Sequence, residues 1–199
     1  MITKGSSKND RLTIADLAEL TCTDGGQLAH SHVQRLLKLI ALIGKGLAYD
    51  ETALTIATYL HDWGAYLRYQ QAGVEHALRS RQVAETMILP RMDVTETEVE
   101  IILETIEYHD YRDQRPVTSL EALLLREADF LDFLGIIGLV REYARGPKEL
   151  ITAYNQVLKR RELIQDRFTL PVAKEIAATR ITRLEQCGQW LQEESFAFL

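Results

Sequence analysis

The sequence predicts an all-α protein, and three observations carry that prediction. Proline and glycine are scarce, at four and eleven residues, whereas the strong helix formers leucine, alanine, glutamate and arginine are plentiful. Apolar residues recur at helical intervals: Val33, Leu36, Leu37 and Ile40 follow the i, i+3, i+4, i+7 pattern of one helix face. No stretch alternates apolar and polar residues with the period of two that a half-buried strand requires.

After a polar start, Leu12 to Leu20 reads as a short helix and Asp24-Gly25-Gly26 as a turn. A second helix is expected from about Leu28 to Leu47, weakened at its far end by Gly44 and Gly46. Asp50 suits the N-cap of a third helix running to Trp63, because its carboxylate can accept the orphan amides of the first turn. Gly64 to Gly73 is a connection, and Val74 to Leu89 a fourth helix stopped by Pro90. Thr95 and Glu98 have the spacing of a capping box opening a fifth helix that reaches His109. A loop from Asp110 to Val117 carries Arg112, Arg115 and Pro116. Thr118 and Glu121 repeat the box spacing for a sixth helix from Ser119 to about Tyr143, where Gly135 and Gly138 permit close packing or a bend. Gly146-Pro147 separates it from a seventh helix ending near Phe168, and Pro171 opens the last, to about Phe198. With no repeat or Pro/Gly-rich linker, residues 1–199 read as one domain, a core of about 28–145 and a helical extension of about 147–198.

A hydrophobic content of 46% is enough for a real core, and a net charge of −6 argues against a nucleic-acid polymer as partner. The basic run Lys159-Arg160-Arg161 stands beside acids in a helical pattern and reads as a solvated face. Cys22 and Cys187, far apart and outside any C-x-x-C spacing, read as free thiols. Met1 to Asp10 lacks the apolar centre of a signal peptide, and no apolar run approaches the roughly twenty residues of a membrane span. A cytoplasmic protein without a membrane partner is expected.

The chemistry concentrates in Ile56-Ala57-Thr58-Tyr59-Leu60-His61-Asp62-Trp63-Gly64, an apolar helical run ending in adjacent ionisable residues. Burying such a pair is costly unless an opposite charge compensates, and a metal ion supplies one. Further candidates follow one per helix: His32 in the second, His76 in the fourth, His109 at the end of the fifth and Asp129 in the sixth. Imidazole with carboxylate suits Fe, Mn, Zn, Co or Ni, with Mg less suited, and bundle helices can project such groups into a common pocket. Each residue also has a plainer reading. His61-Asp62 could be a helix C-terminal cap, and Asp129 could pair with Arg126.

His32-Val33-Gln34-Arg35-Leu36, His61-Asp62 and Asp129 together resemble the H…HD…D signature of the HD-domain phosphohydrolase superfamily. With His76 and His109 the pattern is similar to the H…HD…H…H…D variant that binds two metals. The resemblance spans about Leu28 to Val140. Ile106-Glu107-Tyr108-His109 and Arg115-Pro116 resemble small bacterial HD hydrolases that cleave dinucleoside tetraphosphates, and Ala128-Asp129-Phe130-Leu131-Asp132 is similar to a further small group acting on nucleotides. Gly64 is followed by Ala65 and Tyr66 where many members have a lysine. Asp110 after His109, without a GYP element, departs from the members acting on cyclic dinucleotides.

The resemblance implies an HD-type helical bundle with five core helices and added C-terminal helices. His32, His61, Asp62 and Asp129 would hold one divalent transition metal, and Asp62, His76 and His109 a second. Asp62 would bridge the two as the residue on which catalysis depends. Arg35, Arg79, Arg112 and Arg115 would bind the phosphates of a small phosphorylated substrate; their plainer reading is ion pairing at the surface. Tyr66 and Tyr69 are expected in the pocket wall, and Tyr59 and Trp63 in the core. The C-terminal helices would cover the core or form a homodimer. A di-iron oxygenase and a non-catalytic binding module are the alternative functions.

Overall fold

The computed structural model describes residues 11–145 and 149–196. Among the described residues there are eight α-helices and no strand: α1 (Ile14–Ile43), α2 (Glu51–Leu60), α3 (His76–Val83), α4 (Glu96–Glu107), α5 (Leu120–Asp132), α6 (Gly135–Ala144), α7 (Leu150–Ile164) and α8 (Pro171–Glu194). The all-α expectation holds. The polar start at Met1 to Asp10, the break at Gly146-Pro147 and the end at Phe198 lie outside the described residues.

The two helices expected before Asp50 are joined into α1 across a kink at Gly26. Its φ of 78° and ψ of 177° belong to a region essentially reserved for glycine. Asp50 caps α2 as expected, its Oδ1 accepting the Ala53 N–H at 2.8 Å. α2 stops at Leu60 rather than Trp63, because the chain turns at His61 and Asp62 into a one-turn 3-10 helix, Trp63–Ala65. Ala53, Leu54 and every residue from Ile56 to Leu60 are buried, so α2 is apolar nearly all round.

α3 begins only at His76, and beyond Val83 its hydrogen bonding loosens into a π turn, Ala84–Ile88. A 3-10 turn, Leu89–Arg91, then takes up Pro90, which has no N–H to continue a ladder. The capping box of α4 is complete: Thr95 Oγ1 accepts the Glu98 N–H at 3.2 Å, and Glu98 accepts the Thr95 N–H at 2.7 Å. The second box does not form. Glu121 instead accepts the distant Asp50 N–H at 2.8 Å, leaving Ser119 Oγ to accept the Ala122 N–H at 3.4 Å. The long helix expected to Tyr143 is two helices, because Gly135 adopts a φ of 70° and restarts the chain as α6.

The chain divides into two compact units. The first holds the chain up to Gln34, Tyr49–His109 and Val117–Ala122. Within it α2 and α3 both pack on α4, and α3 also packs on the Trp63–Ala65 turn. The second holds Arg35–Ala48, Asp110–Pro116 and the chain from Leu123 onward. There α6 packs on α7 and α8 around Leu139, Tyr154, Val157 and Leu184.

The basic run on α7 divides its duties. Arg161 pairs with Glu185, but Arg160 turns inward, pairs with Glu142 and sets its guanidinium 4.5 Å from the Phe133 ring centre. A planar cation stacks on an aromatic face better than an ammonium does, so Arg160 leaves the solvated face expected for the whole run. Cys22 and Cys187 are both free. No described helix is long and apolar enough to cross a membrane.

Asp132 is the electrostatic anchor of the second unit. Its carboxylate, almost fully buried, accepts two hydrogen bonds from Arg35 at 2.7 and 2.9 Å and another from Arg141. Asp132→Ala is expected to lower unfolding free energy by about 2–4 kcal/mol; Arg35 keeps some access to water, which trims the penalty of a fully buried break. A denaturant midpoint unchanged from wild type would refute this.

Candidate metal centre

Five of the six residues expected as ligands belong to the first unit, and the structure gathers them around Asp62. Its two carboxylate oxygens face different histidine pairs. Oδ2 lies 3.5 Å from His61 Nε2 and 3.9 Å from His32 Nε2, whereas Oδ1 lies 3.4 Å from His76 Nε2 and 3.7 Å from His109 Nε2. His32, His61 and Asp62 therefore form one group able to hold a metal ion, and Asp62, His76 and His109 a second.

The helix ends aim these rings. The last carbonyls of an α-helix have no intrahelical donor, so a histidine three residues on can supply one. His61 Nδ1–H donates to the Thr58 carbonyl at 2.7 Å, and His109 Nδ1–H to the Ile106 carbonyl at 2.6 Å. A carbonyl only accepts, so each neutral ring carries its proton on Nδ1 and turns the Nε2 lone pair towards Asp62. The plainer reading of His61 as a helix cap holds at Nδ1, while its Nε2 faces Asp62.

The donor set fits divalent cations. His61 Nε2 is buried and makes no hydrogen bond among the described residues, a position a metal would satisfy. The His76 and His109 Nε2 atoms are 3.3 Å apart. Two nitrogens sharing one tetrahedral ion at about 2.1 Å would stand about 3.4 Å apart. Burial alone would raise the Asp62 carboxyl. With the rings protonated and no cation bound, the His61 charge and hydrogen bonds from His109, His61 and His76 outweigh it and hold Asp62 well below the usual carboxylate value. A bound cation would take over that role from neutral rings. His32, His61 and His109 are buried, while the side chains of Asp62 and His76 are 26% and 23% exposed, so a ligand reaches the centre over those two.

Asp129 is not drawn into either group; it lies buried on α5 in the second unit. Each expected phosphate-binding arginine has a protein partner. Arg35 is clasped by Asp132, and Arg79 donates to the Tyr69 carbonyl at 2.6 Å. Arg112 and Arg115 each bind an aspartate two residues earlier, Asp110 and Asp113, in a repeated Asp-x-Arg turn legible in the sequence. Side chains of both remain half-exposed. Trp63 and Tyr59 are in the core as expected. Tyr69 is there too, stacked on Trp63 at 5.3 Å, so its ring face is not open to a base.

Sequence reasoning missed the support beneath the second group. Gly64 N–H donates to Ser80 Oγ at 2.8 Å, tying the turn after Asp62 to the helix that carries His76. The shared spacing of Thr58 to His61 and Ile106 to His109 was the available signal for the carbonyl caps.

A family model described as HD domain matches residues 30–134, more than half of the chain. No curated protein matches. Among solved structures, a predicted HD superfamily hydrolase from an uncultured Thermotogales bacterium is 23% identical, with 91% of this chain and 90% of that one covered and a TM-score of 0.64. An HD-superfamily hydrolase from Bacillus thuringiensis is 21% identical, with 92% and 94% covered and a TM-score of 0.64. YpgQ of Bacillus subtilis, solved in complex with ADP, is 17% identical, with 91% and 94% covered and a TM-score of 0.67. At these identities the likeness is one of fold.

Proposed function

We propose that this chain, which belongs to the HD domain family, is a metal-dependent phosphohydrolase cleaving a phosphate ester or anhydride of a nucleotide or dinucleotide. The observation that carries this reading is the division of the Asp62 oxygens between two histidine pairs. A carboxylate so placed suits a bridge between two cations, which no imidazole in the group can match. His32, His61 and Asp62 would hold one ion, and Asp62, His76 and His109 the other. When bound, two such cations activate a water at neutral pH and neutralise charge building on the phosphate oxygens.

The chain's own residues have three tasks. Thr58 and Ile106 hold the protons of His61 and His109 on Nδ1, leaving Nε2 for the metal. Asp62 stays ionised, which binding of a cation requires. The half-exposed guanidiniums of Arg112 and Arg115 can meet phosphate oxygens while their aspartates hold them in place, with Arg35 and Arg79 in support. The donor set favours Fe, Mn, Co, Ni or Zn over Mg. The ADP complex of Bacillus subtilis YpgQ supports a nucleotide as the substrate class.

Metal analysis of the purified protein, followed by a phosphate-release screen on mono-, tri- and dinucleotides with and without oxygen, tests the proposal. Up to two transition-metal ions per chain and oxygen-independent phosphate release are expected. Turnover that requires oxygen and frees no phosphate would overturn it.

A further inference from the structure

Tyr66 and Tyr69 stand three residues apart in the first unit, both buried, yet only one phenol is satisfied. Tyr69 donates to Asp24 at 3.0 Å. The Tyr66 side chain belongs to a residue only 8% exposed, and its hydroxyl is buried with no hydrogen-bond partner among the described residues. A buried tyrosine normally finds a partner for its O–H, and phenylalanine would fill the same space without that need. The partner is therefore expected to come from outside the chain.

Two features tie this hydroxyl to the metal centre. The 3-10 turn after Asp62 curls the chain back, with Ala65 N–H on the Asp62 carbonyl at 2.9 Å and Tyr66 N–H on the Trp63 carbonyl at 3.0 Å. Burial, then the charges of Asp62 and Asp24, push the Tyr66 phenol well above its usual range, so the group remains an O–H donor. The ring's place is also reserved from the opposite side. A Cβ on Gly25 would come within 2.4 Å of Tyr66 Cζ, so only glycine at that position lets the ring lie where it does.

We propose that the Tyr66 hydroxyl donates a hydrogen bond to an oxygen of the phosphate group bound at the Asp62 centre, with Gly25 making room for its ring. This rests on the phosphohydrolase reading and adds a ligand-binding residue to it. A donor aimed at an anion holds phosphate more tightly without touching the metal ligands.

The test uses the full chain loaded with manganese, with inorganic phosphate as the probe and calorimetric titration as the readout. Tyr66→Phe is expected to keep its manganese and bind phosphate roughly tenfold more weakly or worse. Metal-free Tyr66→Phe should unfold at the same temperature as wild type or higher, because the variant loses a hydroxyl that no protein group satisfies. Gly25→Ala should reproduce the phosphate defect by displacing the ring. Equal phosphate affinity in wild type and Tyr66→Phe would overturn the inference alone. So would a clear fall in the metal-free melting temperature, which would mean that the hydroxyl had a partner in the protein. Wild type that holds manganese but binds no phosphate would overturn the phosphohydrolase reading and this inference with it.

Discussion

Asp62→Ala is expected to abolish phosphate release and to leave the purified protein without its full metal complement, while helical content stays near wild type. The Asp62 carboxylate lies within 3.4 to 3.9 Å of all four histidines of the two groups. Removing it takes an oxygen from both candidate metal groups at once. The charge stabilisation metals supply to a phosphoryl reaction amounts to several kcal/mol, so turnover should fall by roughly 10³-fold or more. The fold has little reason to follow. Asp62 lies in a turn between α2 and the Trp63–Ala65 helix and caps neither with its side chain. Metal analysis, circular dichroism and phosphate release on one preparation check all three statements. Normal turnover in the variant would sink the functional assignment.

Gly64→Ala acts through position rather than ligation, and its effect should be nearly as large. The added Cβ would come 2.3 Å from the His76 carbonyl oxygen and 2.5 Å from the Ser80 nitrogen. Both are backbone atoms of α3, which no rotamer change can move aside. The helix carrying His76 must shift, and overpacking of this kind costs about 1–3 kcal/mol. For a chain of this size that corresponds to a melting temperature lower by about 2–4 °C per kcal/mol. The specific signature is the metal ratio. Under the proposed two-metal reading, the ion at His76 and His109 should be lost, whereas the one at His32 and His61, on α1 and the end of α2, should be kept. A variant with unchanged metal content and stability would show that the close contact at Gly64 has no bearing on the site.

The fold was legible wherever a local rule operated alone. Thr95 and Glu98 announced a capping box, and the box forms because both partners lie within one helical turn. Thr118 and Glu121 carry the same spacing, yet Glu121 is claimed by Asp50, 71 residues away, a competitor no local pattern displays. Gly135 was read as a place for packing or a bend; its positive φ made it a break. Helical periodicity alone cannot distinguish a bend from a break, because the apolar stripe continues through either.

In the site, order along the chain announced which residues would meet but not how. The order of His32, His61-Asp62, His76, His109 and Asp129 pointed to common placement, and the first unit gathers the first five, while Asp129 belongs to the second. Arg35, Arg79, Arg112 and Arg115 were visible as cations; the aspartates of Arg112 and Arg115 stand two residues before them, but the Asp132 carboxylate on Arg35 and the Tyr69 carbonyl on Arg79 became apparent only in three dimensions.

What the sequence determined by itself was chemical identity and helical phase: which side chains can bind a cation, and which helix end or turn each occupies. Those follow from residue type and from interactions a few residues long. Tertiary structure decided the rest, namely that the two oxygens of Asp62 face separate histidine pairs, that α3 is pinned to the turn at Gly64, and that Tyr66 keeps an unanswered hydroxyl. Those outcomes depend on packing between segments far apart in the chain, where a shift of an ångström separates a shared ligand from a bystander.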